Sequence, residues 1–566
     1  MKTTILNRAA LYLTIIAISI GSARGDIATK IISSGWGNQD TQYVRDNWQA
    51  MDTMPLDGMA VLIAIDRQAW RDGSRRNTTN DLGWQLASET HFKYEQFQPA
   101  LQDMAAPEFQ HLTHNFLTLQ TSTSYSTSLT WFDDARWELF LHNLRIYAKL
   151  ARKMNMKGLI IDVEHYGYPL FNFKYMDKKY ADRDYEAYRD QAYRRGIAAM
   201  GALNSEYPDI SLFFYYSWEM LVYRLQLSEN MADQDYALLL PFIEGMLAAA
   251  TPETAFIIGH EPSYGFKTAA AFEDTRENVM QEAVKLSRHP DKFRKNVKMG
   301  FGLWIDNGGK SWSAGDFEKN YFLPAEWEHA LGHALRYSDS YVWIYSHHAR
   351  FFRNPNIPQA YLKAMQRVKA DDWQPPDLPE RKFKTAGKGL PPVFTTEQYV
   401  ENNPMYAEEA VFARLLEPEY RVVSDMPAEW RFRKDTESVG IKKQWYAVAY
   451  DTDDWQMIEI GHWWEDFGIR YDGYAWYRTR FTVPEILKGQ RLWLAFGAVD
   501  EAADVFINGI KADSHGMGQN GWNRPFLMEI TDSVTYDTEN VAAVRVFDSS
   551  AYGGIWQNVK LVTNAQ

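Results

Sequence analysis

Eight short apolar runs alternate with longer helical patterns between residues 29 and 365, and this alternation limits the folds open to the chain. The runs are "KIISSGWG" (30–37), "DGMAVLIAID" (57–66), "NFLTLQTS" (115–122), "KGLIIDVEH" (157–165), "ISLFFYYSW" (210–218), "AFIIGHE" (255–261), "KMGFGLWID" (298–306) and "YVWIYSHH" (341–348). Continuous apolar strands separated by helices belong to parallel sheets buried on both faces. In "DDARWELFLHNLRIYAKLARKM" (133–154) the apolar residues recur at helical spacing, and the basic residues near its end suit the helix dipole. Eight such steps over this length predict a (β/α)8 barrel. A doubly wound open sheet is the alternative, because the third run is weakly marked. A polar stretch at about 67–110 is longer than most connections, and loops of that kind are usually functional.

The pattern changes after residue 366. "DDWQPPDLPERKFKTAGKGLPP" (371–392) carries five prolines and many charges, the composition of a linker. From about 395 onward "AWYRTRFTV", "QRLWLAFGAV", "ADVFING", "FLMEI" and "VAAVRVFD" read as strands between Gly, Asp and Asn turns. The expected organisation is a barrel at 26–370, a linker at 371–394 and an all-β sandwich at 395–566. Residues 1–25 read as a signal peptide: Lys2 and Arg8 precede the apolar "AALYLTIIAISI", and small residues lead to a cleavage point after Gly25. That apolar segment falls short of the about 20 residues of a membrane span. The chain has 566 residues and no cysteine, which removes disulfides, thiolate nucleophiles and a lipoprotein anchor. The expectation is a secreted or periplasmic bacterial protein, not inserted in a membrane. Its net charge of −13 argues against nucleic acid as a partner. The 21 Trp, 33 Tyr and 30 Phe either fill large cores or offer flat faces to sugars.

Four phrases in the tail occur in a familiar order: "WEDFG" at Trp464–Gly468, "YDGYAWYRTRF" at Tyr471–Phe481, "FGAVDEAADVFING" at Phe496–Gly509 and "GGIWQNVKL" at Gly553–Leu561. Together they resemble the galactose-binding-like jelly-roll domain of family 2 glycoside hydrolases such as β-galactosidases, over about 460–563. The residues themselves suit such a fold, since Asn508-Gly509 favours a tight hairpin turn. The resemblance implies an accessory to a catalytic barrel and a carbohydrate partner. The family usually places this domain first, whereas here it comes last, so no contact with an active site is implied. Sugar binding and plain packing both remain open for it.

Barrel enzymes carry their reacting groups where the strands end. Those positions hold Trp36; Asp162, Glu164, His165 and Tyr166; His260, Glu261 and Tyr264; Trp304 and Asp306; and Tyr345, His347 and His348. Glycoside hydrolysis needs two carboxyl groups, one protonated and one acting as base or nucleophile. Glu164 is expected as the acid/base, with Asp162 on the same face tuning it or holding substrate. Glu261 and Asp306 are the two candidates for the opposing carboxylate. By analogy, retaining barrels resembling family 2 enzymes pair strands four and seven, and α-galactosidase-like barrels pair strands four and six. "IDVEHYGYP" is also similar to the end of the family 18 chitinase signature, but Lys157 and Ile160 stand where that signature has earlier aspartates. Tyr166, Trp36, His260, Tyr264, Trp304, Tyr345 and His347 are expected to bind substrate. No metal and no cofactor is expected, because the histidines lack a ligand motif. The reading is thus a glycoside hydrolase with a (β/α)8 barrel and a C-terminal jelly roll. A non-catalytic carbohydrate-binding protein and a metal-dependent carbohydrate hydrolase or lyase are its rivals.

Overall fold

The structure, a computed structural model, describes residues 29–564 apart from 72, 74–76, 122–128, 177–182, 226–230, 268, 308–311, 377–393, 417–419, 437–438, 472, 517–520 and 549–551. The expected signal peptide and most of the expected linker lie outside the described residues.

Each of the eight apolar runs contains a strand. They are β1 (Lys30–Gly35), β2 (Gly58–Leu62), β3 (Phe116–Gln120), β4 (Gly158–Asp162), β5 (Ser211–Phe214), β6 (Ala255–Ile258), β7 (Val297–Met299 continuing as Phe301–Trp304) and β8 (Tyr341–Ser346). Every neighbouring pair is parallel, and β1 pairs with both β2 and β8. The two pieces of β7 close the ring: Val297–Met299 pairs with β6 and Phe301–Trp304 with β8. Gly300 joins them, donating to the Ile258 carbonyl at 2.8 Å. A Cβ at Gly300 would lie 2.6 Å from the Tyr341 carbonyl oxygen, so the crossing from one neighbour to the other needs glycine. The ring is a barrel, not the open doubly wound sheet.

Alternation along the strands sorts the side chains into two cores. Ile32, Ala60, Phe116, Ile160, Phe213, Ile257 and Trp343 point inward and pack on one another. Ile31, Val61, Leu117, Leu159, Leu212, Phe256 and Leu303 point outward and join the buried faces of the helices. The helix Asp134–Lys153 illustrates the outer layer. Asp133 caps its start by accepting from the Arg136 N–H, and Trp137, Leu141, Leu144 and Leu150 lie on its buried side. Trp343 fills the upper barrel; its indole N–H donates to the Gly259 carbonyl at 2.7 Å. The ring leaves no room for a side chain at Gly302, where a Cβ would meet it at 2.7 Å.

The expected barrel boundary shifts slightly. Trp373, which the sequence reading placed in the linker, packs against the outer core over Gly332, and its indole N–H reaches Glu328 Oε1 at 3.3 Å. The tail does not begin with strands either: helices Thr396–Asn402 and Glu408–Leu415 come first. Two antiparallel sheets follow, as expected for a jelly-roll sandwich. The smaller has the strand order Tyr420–Asp425, Val559–Asn564, Leu492–Phe496 and Phe526–Glu529. The larger is centred on Gly473–Thr482 paired with Glu539–Asp548 over ten residues each. Trp430, Phe432, Tyr477, Leu494, Phe496, Val505 and Val544 are buried between the sheets. Asn508 and Gly509, at φ 51° and 82°, make the tight turn between Ala502–Ile507 and Ile510–Gly516.

Candidate active site

Three carboxyl groups meet where β4 and β6 leave the barrel. Ile160 points inward, so Asp162, two residues on, does too. Its register partner on β3 is Gln120, whose side chain lies beside the Asp162 carboxyl. The strand stops there. The Glu164 N–H donates to Asp162 Oδ1 at 2.9 Å, a local turn that ends the ladder and lifts Glu164 above the wall. The Tyr166 hydroxyl then donates to Glu164 Oε2.

On β6 a tighter device does the same work. The Gly259 N–H donates to the Phe214 carbonyl at 2.7 Å, and His260 turns the chain in the left-handed region at φ 47°. The turn sends the His260 ring outward among Phe266 and Phe301, while Glu261 faces the cleft. The hydroxyls of Tyr216 and Tyr264 lie close to the Glu261 carboxyl. Asp162, Glu164 and Glu261 are each half-buried, open enough for a ligand and enclosed enough to feel one another.

Their electrostatics divide the roles. Burial, then the charges of Glu164 and Asp162, push the Glu261 carboxyl up to about 8. Burial, then the charge of Glu164, pushes Asp162 up to about 7. The sequence leads to the expectation of Glu164 as the acid/base, whereas burial and the neighbouring charges favour the protonated form at Glu261 and Asp162. In an unfolded chain both groups ionise at about pH 4. Between that pH and about 8 the folded protein therefore binds more protons, and its stability falls as pH rises through this window. The buried Asp81 and Glu219, each pushed up to about 7 chiefly by burial, act in the same direction. Glu261→Gln is accordingly expected to unfold at a higher temperature than the wild type at pH 8 and at the same temperature at pH 5. Equal differences at both pH values would contradict a protonated Glu261.

The other expected site residues divide into those at the mouth and those behind it. Tyr264 is at the centre, with ring centroids 5.8 Å from Trp304, 5.2 Å from Tyr345 and 5.3 Å from Trp343. Trp36 is 71% exposed at the rim, beside the Tyr345 hydroxyl. His347 faces Trp36 at 6.0 Å and stacks on His348 at 4.3 Å, because β8 has already ended at Ser346 and the two rings need not diverge. His165 stacks on Tyr236 at 4.3 Å. His260 is not at the mouth: it is fully buried, and burial pushes its ring down to about 3, which keeps it neutral.

Asp306 also has another task than the one expected. It is 1% exposed, and its carboxylate accepts from the Trp304 indole at 2.8 Å, from the His347 N–H at 2.9 Å, from the Ala349 N–H at 2.9 Å and from the His348 N–H. These donors engage both oxygens and pin the loop after β8.

Four contributors escaped the sequence reading. Tyr216 belongs to an apolar run and signals nothing until β5 is seen to end at Phe214. Tyr215 extends the inner stack, lying on Trp343 at 4.2 Å and bonding Ser34. Gln120 needed the β3–β4 register. Trp84, from the long polar stretch, comes within 5.4 Å of Tyr166, and only the length of that stretch hinted at it.

No protein-family model matches the chain. A β-glucuronidase of Formosa agariphila is 26% identical over 176 residues, covering 25% of this chain and 17% of its own length. A β-galactosidase of Bacteroides ovatus is 29% identical over 146 residues, covering 24% and 16%. Over these stretches the chain is similar to family 2 glycoside hydrolases. A β-glucuronidase of Bacteroides fragilis reaches 38% identity over 87 residues, or 13% of this chain and 12% of that protein. The chain thus spans about a sixth of the length of the curated relatives it matches. Among solved structures, β-glucuronidase from Ruminococcus gnavus in complex with D-glucuronic acid has a TM-score of 0.24 at 20% identity, over 27% of this chain and 31% of that one. Lactobacillus rhamnosus β-glucuronidase has a TM-score of 0.24 at 24% identity, over 27% and 30%.

Proposed function

We propose that the protein is an exported glycoside hydrolase that cleaves a poly- or oligosaccharide with two carboxyl groups. The observation that carries this reading is the convergence of Glu164 and Glu261 at one cleft, where burial and the neighbouring acids push Glu261 up to about 8. Glu261 serves as general acid to the leaving oxygen. Glu164, steadied by Tyr166, serves as base or nucleophile. Asp162, pushed up to about 7 and accepting from the Glu164 N–H, positions Glu164 and hydrogen-bonds a sugar hydroxyl. Trp36, Trp84, Tyr166 and Trp304 offer rings to sugar faces. The relatives support the same class by their names, β-glucuronidase and β-galactosidase. The sandwich then serves as the accessory domain, and the leader at 1–25 takes the protein to the periplasm or outside the cell.

The test is a glycan panel. The wild type is expected to release reducing ends from at least one polysaccharide, and Glu164→Gln to release none. Saturable binding of a glycan with no product over a day would favour the non-catalytic binding protein instead.

A further inference from the structure

We propose that the cleft holds more than the sugar whose bond is cut: a further unit of the same glycan lies on Trp36, at the opposite wall of the mouth. The proposal rests on the glycoside hydrolase reading and makes the substrate a chain that crosses the mouth, not a single glycoside.

All 21 tryptophans are among the described residues, and of these Trp36 alone stands exposed. An exposed ring on a loose loop would mean little, but the backbone under this one is tied down on both sides. The Asn38 N–H donates to the Gly35 carbonyl at 3.2 Å, and the Gly35 N–H donates to Asn38 Oδ1 at 3.0 Å. Gly35 lets this turn lie against Tyr345, whose ring a Cβ would meet at 2.7 Å. Arg353, from the loop after β8, donates to Gln39 Oε1 at 3.2 Å and pairs with Asp40 at 3.3 Å. That loop is itself held by Asp306 and by Asn356, which accepts from the Arg350 N–H at 2.7 Å and donates to the His348 carbonyl at 3.0 Å. The ring is therefore presented in a fixed place, so little ordering is left to be done when a ligand lies on it.

Its position in the ring decides what it can touch. Glu164 follows β4 and Glu261 follows β6, on either side of β5. In a closed ring of eight strands β1 stands opposite β5, so a sugar seated between the two carboxyls cannot also lie on Trp36. Aromatic rings join the two places. Tyr264, beside Glu261, is 5.8 Å from Trp304 and 5.2 Å from Tyr345, and Trp304 is 5.3 Å from Tyr345. Trp36 comes next, beside the Tyr345 hydroxyl. A chain that leaves the carboxyls along this arc, past β7 and β8, meets the indole at β1. There the exposed His347, 6.0 Å from Trp36, offers a ring nitrogen to a hydroxyl. A pyranose presents the complement, C–H groups on a face and hydroxyls around the edge. A protein partner would need a broad apolar patch, whereas the neighbours of Trp36 on this rim, Gly37, Asn38, His347 and His348, are small or polar.

The test uses the full chain and ladders of cello-, xylo-, manno-, laminari- and galacto-oligosaccharides, each from disaccharide to hexasaccharide. On the ladder that is cleaved, wild-type kcat/KM is expected to climb with chain length. Trp36→Ala is expected to lose roughly 10- to 100-fold on the hexasaccharide, and at least about 10-fold more than on the 4-nitrophenyl glycoside of the same sugar. Trp36→Phe, which keeps a ring, should fall between the two. Because Trp36 is exposed, both variants should unfold at the wild-type temperature. Equal losses on the long and the short substrate overturn the subsite and leave the hydrolase reading standing. A second measurement needs no turnover. In Glu164→Gln, the difference in acrylamide quenching made by adding Trp36→Phe reports this one indole, and the hexasaccharide is expected to shield it. Shielding by a chain that the wild type never cleaves would sink the hydrolase reading and keep the subsite. Shielding by none of the ladders overturns the subsite, whatever the glycan panel gives.

Discussion

Glu261→Gln is expected to lower kcat/KM on an unactivated glycoside by about 10³-fold, within the range for removal of a general acid. Glu164→Gln is expected to cost at least as much, but the two losses should separate on a substrate that needs no protonation. A glycosyl fluoride or a 2,4-dinitrophenyl glycoside departs without help from an acid. On it Glu261→Gln should recover to within about 10-fold of the wild type, and Glu164→Gln should not. The pH profile gives an independent reading. Burial and the neighbouring Glu164 and Asp162 hold the Glu261 proton up to about pH 8. The wild-type kcat/KM should then fall as pH rises through that value, because the acid is consumed, and the falling limb should vanish in Glu261→Gln. Recovery of Glu164→Gln instead of Glu261→Gln on the activated substrate would reverse the two roles. Equal loss on both substrates by both variants would assign neither residue to proton donation.

What the sequence could tell follows from where regular structure stops. Within the strands, apolar runs and alternation fix the wall of a barrel, and each run from 30–37 to 341–348 does contain a strand. Glu164 and Glu261 were findable because they follow β4 and β6 by only two or three residues. Beyond the last paired residue, alternation no longer predicts direction. His260 sits in a left-handed turn, so its ring goes into the outer core while Glu261 takes the cleft. The sequence reading, which continued the strand through both, gave them the same surroundings. The choice of which carboxyl keeps its proton was equally hidden. It depends on burial and on the charges that the carboxyls of β4 and of the turn after β6 exert on one another, brought together from strands far apart in sequence. Trp84 and Trp373 lay in segments read only as loop and linker, where composition carries no information on contact.

Asp306 provides the sharpest separation of a structural acid from a catalytic one. Asp306→Ala is expected to cost the barrel about 3 kcal/mol or more, because the removed carboxylate leaves buried donors with no acceptor. Those donors are the Trp304 indole and the N–H groups of His347, His348 and Ala349. Asn is a poor replacement: it keeps one acceptor, but its NH2 would face backbone N–H groups that also donate. Thermal and urea unfolding should therefore rank wild type above Asp306→Asn, and Asp306→Asn at or above Asp306→Ala. The loop after β8 carries His347 and adjoins Tyr345, so its loosening should raise KM while kcat of the folded fraction stays within about 10-fold of the wild type. A hydrolase that paired strands four and seven would behave differently. In that case Asp306→Asn would remain as stable as the wild type and lose kcat as severely as Glu164→Gln. The pair of measurements therefore decides between Glu261 and Asp306 as the second carboxyl, with stability reporting the loop and kcat reporting the chemistry.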